Sequence, residues 1–94
     1  MLDEALYALR SRSFESSRLA LAKEIISSNC LTSAQVRDFM LQFSFENSRL
    51  EVARFAFAFT VDRQNYYLVH DALQYPESVA ELQQFLAWNM RQGY

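Results

Sequence analysis

His70 is the only histidine of the chain and Cys30 the only cysteine. Any histidine-based acid–base chemistry must run through the first, and any thiol chemistry through the second. Asp71 adjoins His70, but successive helical residues point about 100° apart, so it is poorly placed to orient the ring. Asp38 is the other carboxylate that could serve a general base. No serine is set by the sequence as a nucleophile, and no papain-like signature surrounds Cys30. One cysteine makes neither an internal disulfide nor a multi-cysteine metal site, and free cysteine packs most often as a small hydrophobe. The residues predict a half-buried structural His70, hydrogen-bonded to backbone or to a tyrosine, and a packed Cys30. A small enzyme using His70 and a carboxylate is the alternative.

The other polar residues point to structure. Glu46 with Arg49, and Glu51 with Arg54, read as solvated i, i+3 pairs on one helix, worth a few tenths of a kcal/mol. Asp62-Arg63-Gln64-Asn65 imitates the start of a calcium loop, but the central glycine and terminal glutamate of that loop are missing. Asp62 reads better as a helix cap. The single glycine, Gly93, leaves no phosphate-binding glycine loop. Nothing calls for a cofactor.

Ninety-four residues make one domain, 1–94. A 51% hydrophobic, 21% charged composition is that of a globular chain. Nine basic and eleven acidic residues give a net charge of −2 without a basic stripe, which disfavours nucleic acid. No apolar run approaches the roughly 20 residues of a membrane span. One glycine and one proline are too few for a hairpin-rich sheet.

A repeat organises the chain. SFESSRLALA, 13–22, and SFENSRLEVA, 44–53, agree at seven of ten positions, 31 residues apart. A fainter third copy starts at YPESVAEL, 75–82. Such a period predicts stacked helical units, at 13–43 and 44–75, with a third partial unit at 76–94. The repeat also decides FAFAFTV, 55–61, whose phenylalanines alternate as in a strand. The matching segment of the first copy does not alternate, and Leu19, Ala22, Ile25 and Ile26 recur around it at helical spacing. The shared shape is therefore a helix, with apolar residues over most of its circumference, as in a buried one.

The expected fold is all-α: about six short antiparallel helices in a compact helical-repeat array. Leu2, Ala5, Leu6 and Leu9 predict helix one, to about Arg12. Ser16, Asn47 and Ser78, the last in a capping box with Glu81, are placed to open helices two, four and six. Thr32 with Gln35 forms a capping box for helix three, whose face is Val36, Phe39, Met40 and Phe43. Asp62 opens helix five, with the face Tyr66, Val69, His70 and Leu73. Helix six carries Val79, Leu82, Phe85, Leu86 and Met90 and stops near Gly93.

The run 31–69 resembles the domain-of-unknown-function 4476 family. Gln35-Val36, Phe43-Ser44-Phe45, Glu46-Asn47, Arg49-Leu50, Thr60-Val61-Asp62 and Asn65-Tyr66 carry the likeness, which extends over nearly the whole chain. The resemblance implies a helical module without catalytic residues, and by analogy an adaptor-type role.

The residues predict a non-catalytic module that binds a protein or peptide on the surface of helices three and five. Arg37, Asp38, Leu41, Gln64, Tyr67 and Leu68 are the exposed candidates, with Tyr67 and Leu68 as apolar anchors. The rival is a self-associating homo-oligomer paired end to end through Trp88 and Tyr94. Against it, those two residues would pack on helix one or the tail. Most phenylalanines are expected in the core.

Overall fold

A computed structural model describes residues 2–91. Its helices are α1 (Leu2–Arg10), α2 (Glu15–Ser27), α3 (Ser33–Met40), α4 (Glu46–Ala56) and α5 (Pro76–Arg91). A short 3-10 turn, Phe57–Phe59, extends α4, and a long 3-10 segment, Arg63–Ala72, takes the place of the fifth helix. The described residues contain no strand, only a one-residue parallel bridge between Leu31 and Thr60. The all-α expectation with six main helical segments holds. The side chains of Leu2 and Met90, together with Gly93 and Tyr94, lie outside the described residues.

α2 packs on α4 and α4 on α5; α3 packs on α4 and, most extensively, on the 3-10 segment; α1 packs on α2 and α3. α2, α4 and α5 thus form a first row and α1, α3 and the 3-10 segment a second, and the core between these two rows includes Leu9, Ile26, Val36, Phe39, Met40, Val52 and Val69, all fully buried. Leu9, Phe39 and Val69 stand 30 residues apart, one on each of α1, α3 and the 3-10 segment.

The alternating phenylalanines are helical, but not uniformly so. Phe55 and Ala56 end α4, and Phe57–Phe59 tighten into the 3-10 turn. Phe57 is buried edge-on to Tyr66, with ring centroids 5.1 Å apart, while half-buried Phe55 and Phe59 lie 5.4 Å apart. Beyond them the chain straightens. Leu31 N–H donates to Phe59 O at 3.0 Å, and Val61 N–H donates to Leu31 O at 2.9 Å.

Helix five was expected to be α. Instead its buried residues, Tyr66, Val69 and Ala72, follow the three-residue turn that puts i and i+3 on one side. His70 is displaced from that line and is half-buried.

The Thr32–Gln35 capping box is present: Gln35 N–H donates to Thr32 Oγ1, and Thr32 N–H to Gln35 Oε1. The other expected caps are corrected. α2 and α4 are preceded by Phe14 and Phe45 in extended conformation, which places Ser16 and Asn47 inside the helices. α5 opens on Pro76, a residue suited to a first helical position, which places Ser78 inside as well. Asp62 precedes the 3-10 segment without capping it. Its carboxylate instead accepts Ser33 N–H at 2.6 Å, across to the start of α3.

Tyr66 donates its hydroxyl to Ala53 O, tying the 3-10 segment to α4, and burial pushes its pKa well up. Phe39→Ala is expected to lower the unfolding free energy by about 3–5 kcal/mol, and Tyr66→Phe by about 1 kcal/mol. Urea denaturation reads both, and a Phe39→Ala protein as stable as the parent would refute this core.

Candidate functional site

Neither residue with nucleophile or base chemistry sits in a catalytic arrangement. His70 is half-buried, but its ring forms no hydrogen bond among the described residues, contrary to expectation. Cys30 is an exposed free thiol rather than a packed one. The bridge explains this: Leu31 holds the buried side of the extended stretch, so its neighbour is turned outward. The thiol borders a pocket of about 170 Å³ whose walls include Ala5, Ile25, Leu31 and Phe39. No group of three or more His, Cys, Asp or Glu side chains able to hold a metal occurs among the described residues.

The strongest polar constellation is the one that recurs with the sequence repeat. Ser44 and Phe45 N–H both donate to Glu15 Oε2 at 3.0 Å. Thirty-one residues on, Glu46 accepts Gln74 N–H at 2.9 Å and Tyr75 N–H at 3.1 Å. Arg18 and Arg49 strap the same junctions. Arg18 donates to the carbonyls of Arg12 and Gln42, and Arg49 to those of Phe43 and Ala72.

Farther along the helices, Lys23 pairs with Glu51, and Arg54 with Glu81 at 3.1 Å. Glu51 and Arg54 therefore pair with other helices and not with each other, while Glu46 bonds to the lead segment of α5 and keeps an electrostatic attraction to Arg49. At each junction the two ties come in the same order along both helices, so α2, α4 and α5 run side by side in one direction. In the third copy Tyr75, not Pro76, takes the place of Phe45, a spacing of 30. Pro76 and Val79 then replace the glutamate and arginine.

These junctions leave aromatics in solvent. Phe14, Phe45 and Tyr75 are 73%, 63% and 55% exposed; Phe14 and Phe45 are exceptions to the expectation that most phenylalanines are core, which holds for Phe39, Phe43 and Phe57 and, packed against them, Phe55, Phe59 and Phe85. Phe45 and Tyr75 sit where a polar cap would be, because their lead segments are held from α2 and α4. The missed signal was the glutamate immediately after each phenylalanine.

The outer side of α3 and the 3-10 segment brings several expected partner residues together. Arg37 reaches Asp71 at 3.8 Å and Asp38 at 3.9 Å. Tyr67 is 63% exposed and Leu41 47% exposed; Gln64 is exposed and Leu68 half-buried. One residue was missed: Tyr7 on α1, 72% exposed. Positions 7, 37 and 67 share the spacing of buried Leu9, Phe39 and Val69, and that parallel was the available signal. Trp88 is 60% exposed on α5, not packed on α1.

Two carboxylates of the framework carry shifted pKa values. Burial pushes Glu46 up, but the N–H groups of Gln74 and Tyr75, the Ser78 hydroxyl and the charge of Arg49 more than offset this, leaving it below its ordinary 4.5. Hydrogen bonds from the Asn65 side chain, and from the N–H and hydroxyl of Ser33, hold Asp62 below its ordinary 3.8 against the effect of burial.

A family described as Domain of unknown function (DUF4476) matches residues 1–86. No curated protein matches the chain, and no solved structure does.

Depressed folded-state values fix the sign of the pH dependence. The stabilisation is fully present above the unfolded-state values and is lost as pH falls through the lower folded ones. Unfolding followed against pH should show stability declining below about pH 4.5. Glu46→Gln should be less stable at neutral pH and show a shallower acid limb. An acid limb identical to the parent's would rule out this bond.

Proposed function

From the chain's membership of the DUF4476 family, whose description carries no activity, we propose a non-catalytic protein–protein interaction module of adaptor or scaffold type. The docking surface is the outer side of α3 and the 3-10 segment, extended by α1. The observation that carries this reading is the line of Tyr7, Arg37 and Tyr67 across three packed elements, with both tyrosines largely in solvent. Exposed aromatics on a fixed framework cost little entropy to bury and are frequent anchors at interfaces. Leu41 and Leu68 add apolar area, and Asp38, Gln64 and Asp71 form a polar rim that selects orientation more than affinity.

Two tandem helix-pair units account for the rigidity of this platform, since each junction is laced by a carboxylate, an arginine and an ion pair. The partner is a protein or peptide segment with apolar side chains to cover the tyrosines.

Quantitative capture with the immobilised domain tests the surface. Tyr67→Ala and Tyr7→Ala should each cut retained partner by at least tenfold, about 1.4 kcal/mol, while Phe14→Ala, on another edge, retains it. Undiminished capture by the Tyr67→Ala, Leu68→Ala double variant would show that the surface is wrongly chosen.

A further inference from the structure

We propose that a second copy of this chain docks head to tail, the outer stripe of α5 in one copy lying along the outer stripe of α2 in the next. The proposal is independent of the tyrosine surface. The molecule already contains the geometry twice, in α2 on α4 and α4 on α5. At both junctions a first-turn carboxylate takes two N–H groups of the next helix's lead segment, and a base farther along meets an acid.

The two ends of the row carry parts of a third such junction. On α2, the N–H groups of Ser13 and Phe14 occupy the place of the clamped pairs and have no acceptor among the described residues. Exposed Arg12 stands beside them. On α5, Glu77 lies in the first turn with its side chain exposed. Where the internal junctions set Lys23 and Arg54 against Glu51 and Glu81, the ends offer Gln84 on α5 and Ala20 on α2. Both members of the pair are neutral together, so docking strands no charge, which would otherwise be costly.

One turn beyond Gln84 stands Trp88, 60% exposed. One turn beyond Ala20 stands Glu24. Ala20, Leu21 and Glu24, with Ser17 and Arg12, line a groove of about 250 Å³ on this side of α2. In the register of the internal junctions, Gln84 lies over Ala20 and the indole enters the groove with its N–H towards Glu24, while Glu77, one residue past the clamp position that Pro76 fills, is left to meet exposed Arg12. Pro76 and Val79 replace the clamp glutamate and strap arginine on α5, so this junction is weaker than the internal ones. The contact is heterologous, so it propagates beyond two copies unless its rotation closes a ring.

Sedimentation equilibrium of the whole chain, from about 10 µM to about 1 mM, should show a mass that rises with concentration and passes that of two copies. Trp88→Ala should move the rise to at least about tenfold higher concentration. Arg12→Glu and Glu77→Arg should each weaken association, and the two combined should restore it. Tyr67→Ala should leave it unchanged. In a Cys30→Ser background, Ala20→Cys with Gln84→Cys should yield a disulfide-linked ladder that neither single cysteine gives. A single-chain mass throughout the range would overturn the proposal. So would association indifferent to the charge exchange, or a pair of cysteines that never cross-links.

Discussion

Two backbone N–H groups on one carboxylate hold this molecule in its shape. Glu15 reaches the lead segment of α4, and Glu46 that of α5. An ionised acceptor makes such bonds roughly twice as strong as neutral ones. More important is where they act. Each ties residues nearly thirty apart at the point where the chain turns back into the first row. Without the carboxylate, the lead segment would have neither a polar cap nor a partner, since phenylalanine offers no acceptor. The arginine at i+3 from each glutamate completes the lacing by taking carbonyls on both sides of the same junction. Among the identities shared by the two sequence copies, the glutamate and the arginine fasten backbone, while the leucine and the last alanine lie in the core or against it.

The opposite edge adds a backbone bridge to a carboxylate clamp. There Leu31 and Thr60 pair their backbones, and Asp62 reaches across to Ser33. Carboxylates thus close both edges, each by accepting N–H from a segment distant in sequence. Between the edges, Leu9, Phe39 and Val69 fill the interior at a regular interval, and the outer side of the same three elements displays Tyr7, Arg37 and Tyr67. One register produces both the core and the exposed line, so packing inside fixes spacing outside.

The helical class, the Thr32–Gln35 box and the core face of α3 were legible because each is a local pattern: periodicity and capping depend on residues within one turn or two. Asn47 is a good cap residue, and a one-dimensional reading cannot know that the lead segment's acceptor comes from Glu15, about thirty residues away, or that Asp62 is drawn to the N–H of Ser33. Glu46 looked like half of a surface pair with Arg49 for the same reason. Cys30 was misplaced because its orientation is set by a backbone bridge to Thr60 that no local signal announces. For the partner surface, Arg37 and Tyr67 could be read from helix three and helix five. Tyr7 required knowing that α1 lies beside α3.

The 3-10 character of Arg63–Ala72 has a metric consequence. Ten residues rising about 2.0 Å each cover about 20 Å, where an α-helix would cover about 15 Å. The tighter winding lengthens the segment by roughly one α-turn without adding residues. That extra reach delivers Gln74 and Tyr75 to Glu46 on the far side of the molecule. Rewound as an α-helix, the same ten residues would fall short of that side, and α5 would lose its anchorage. The narrower coil works as a spacer that keeps the second row of helices in step with the first.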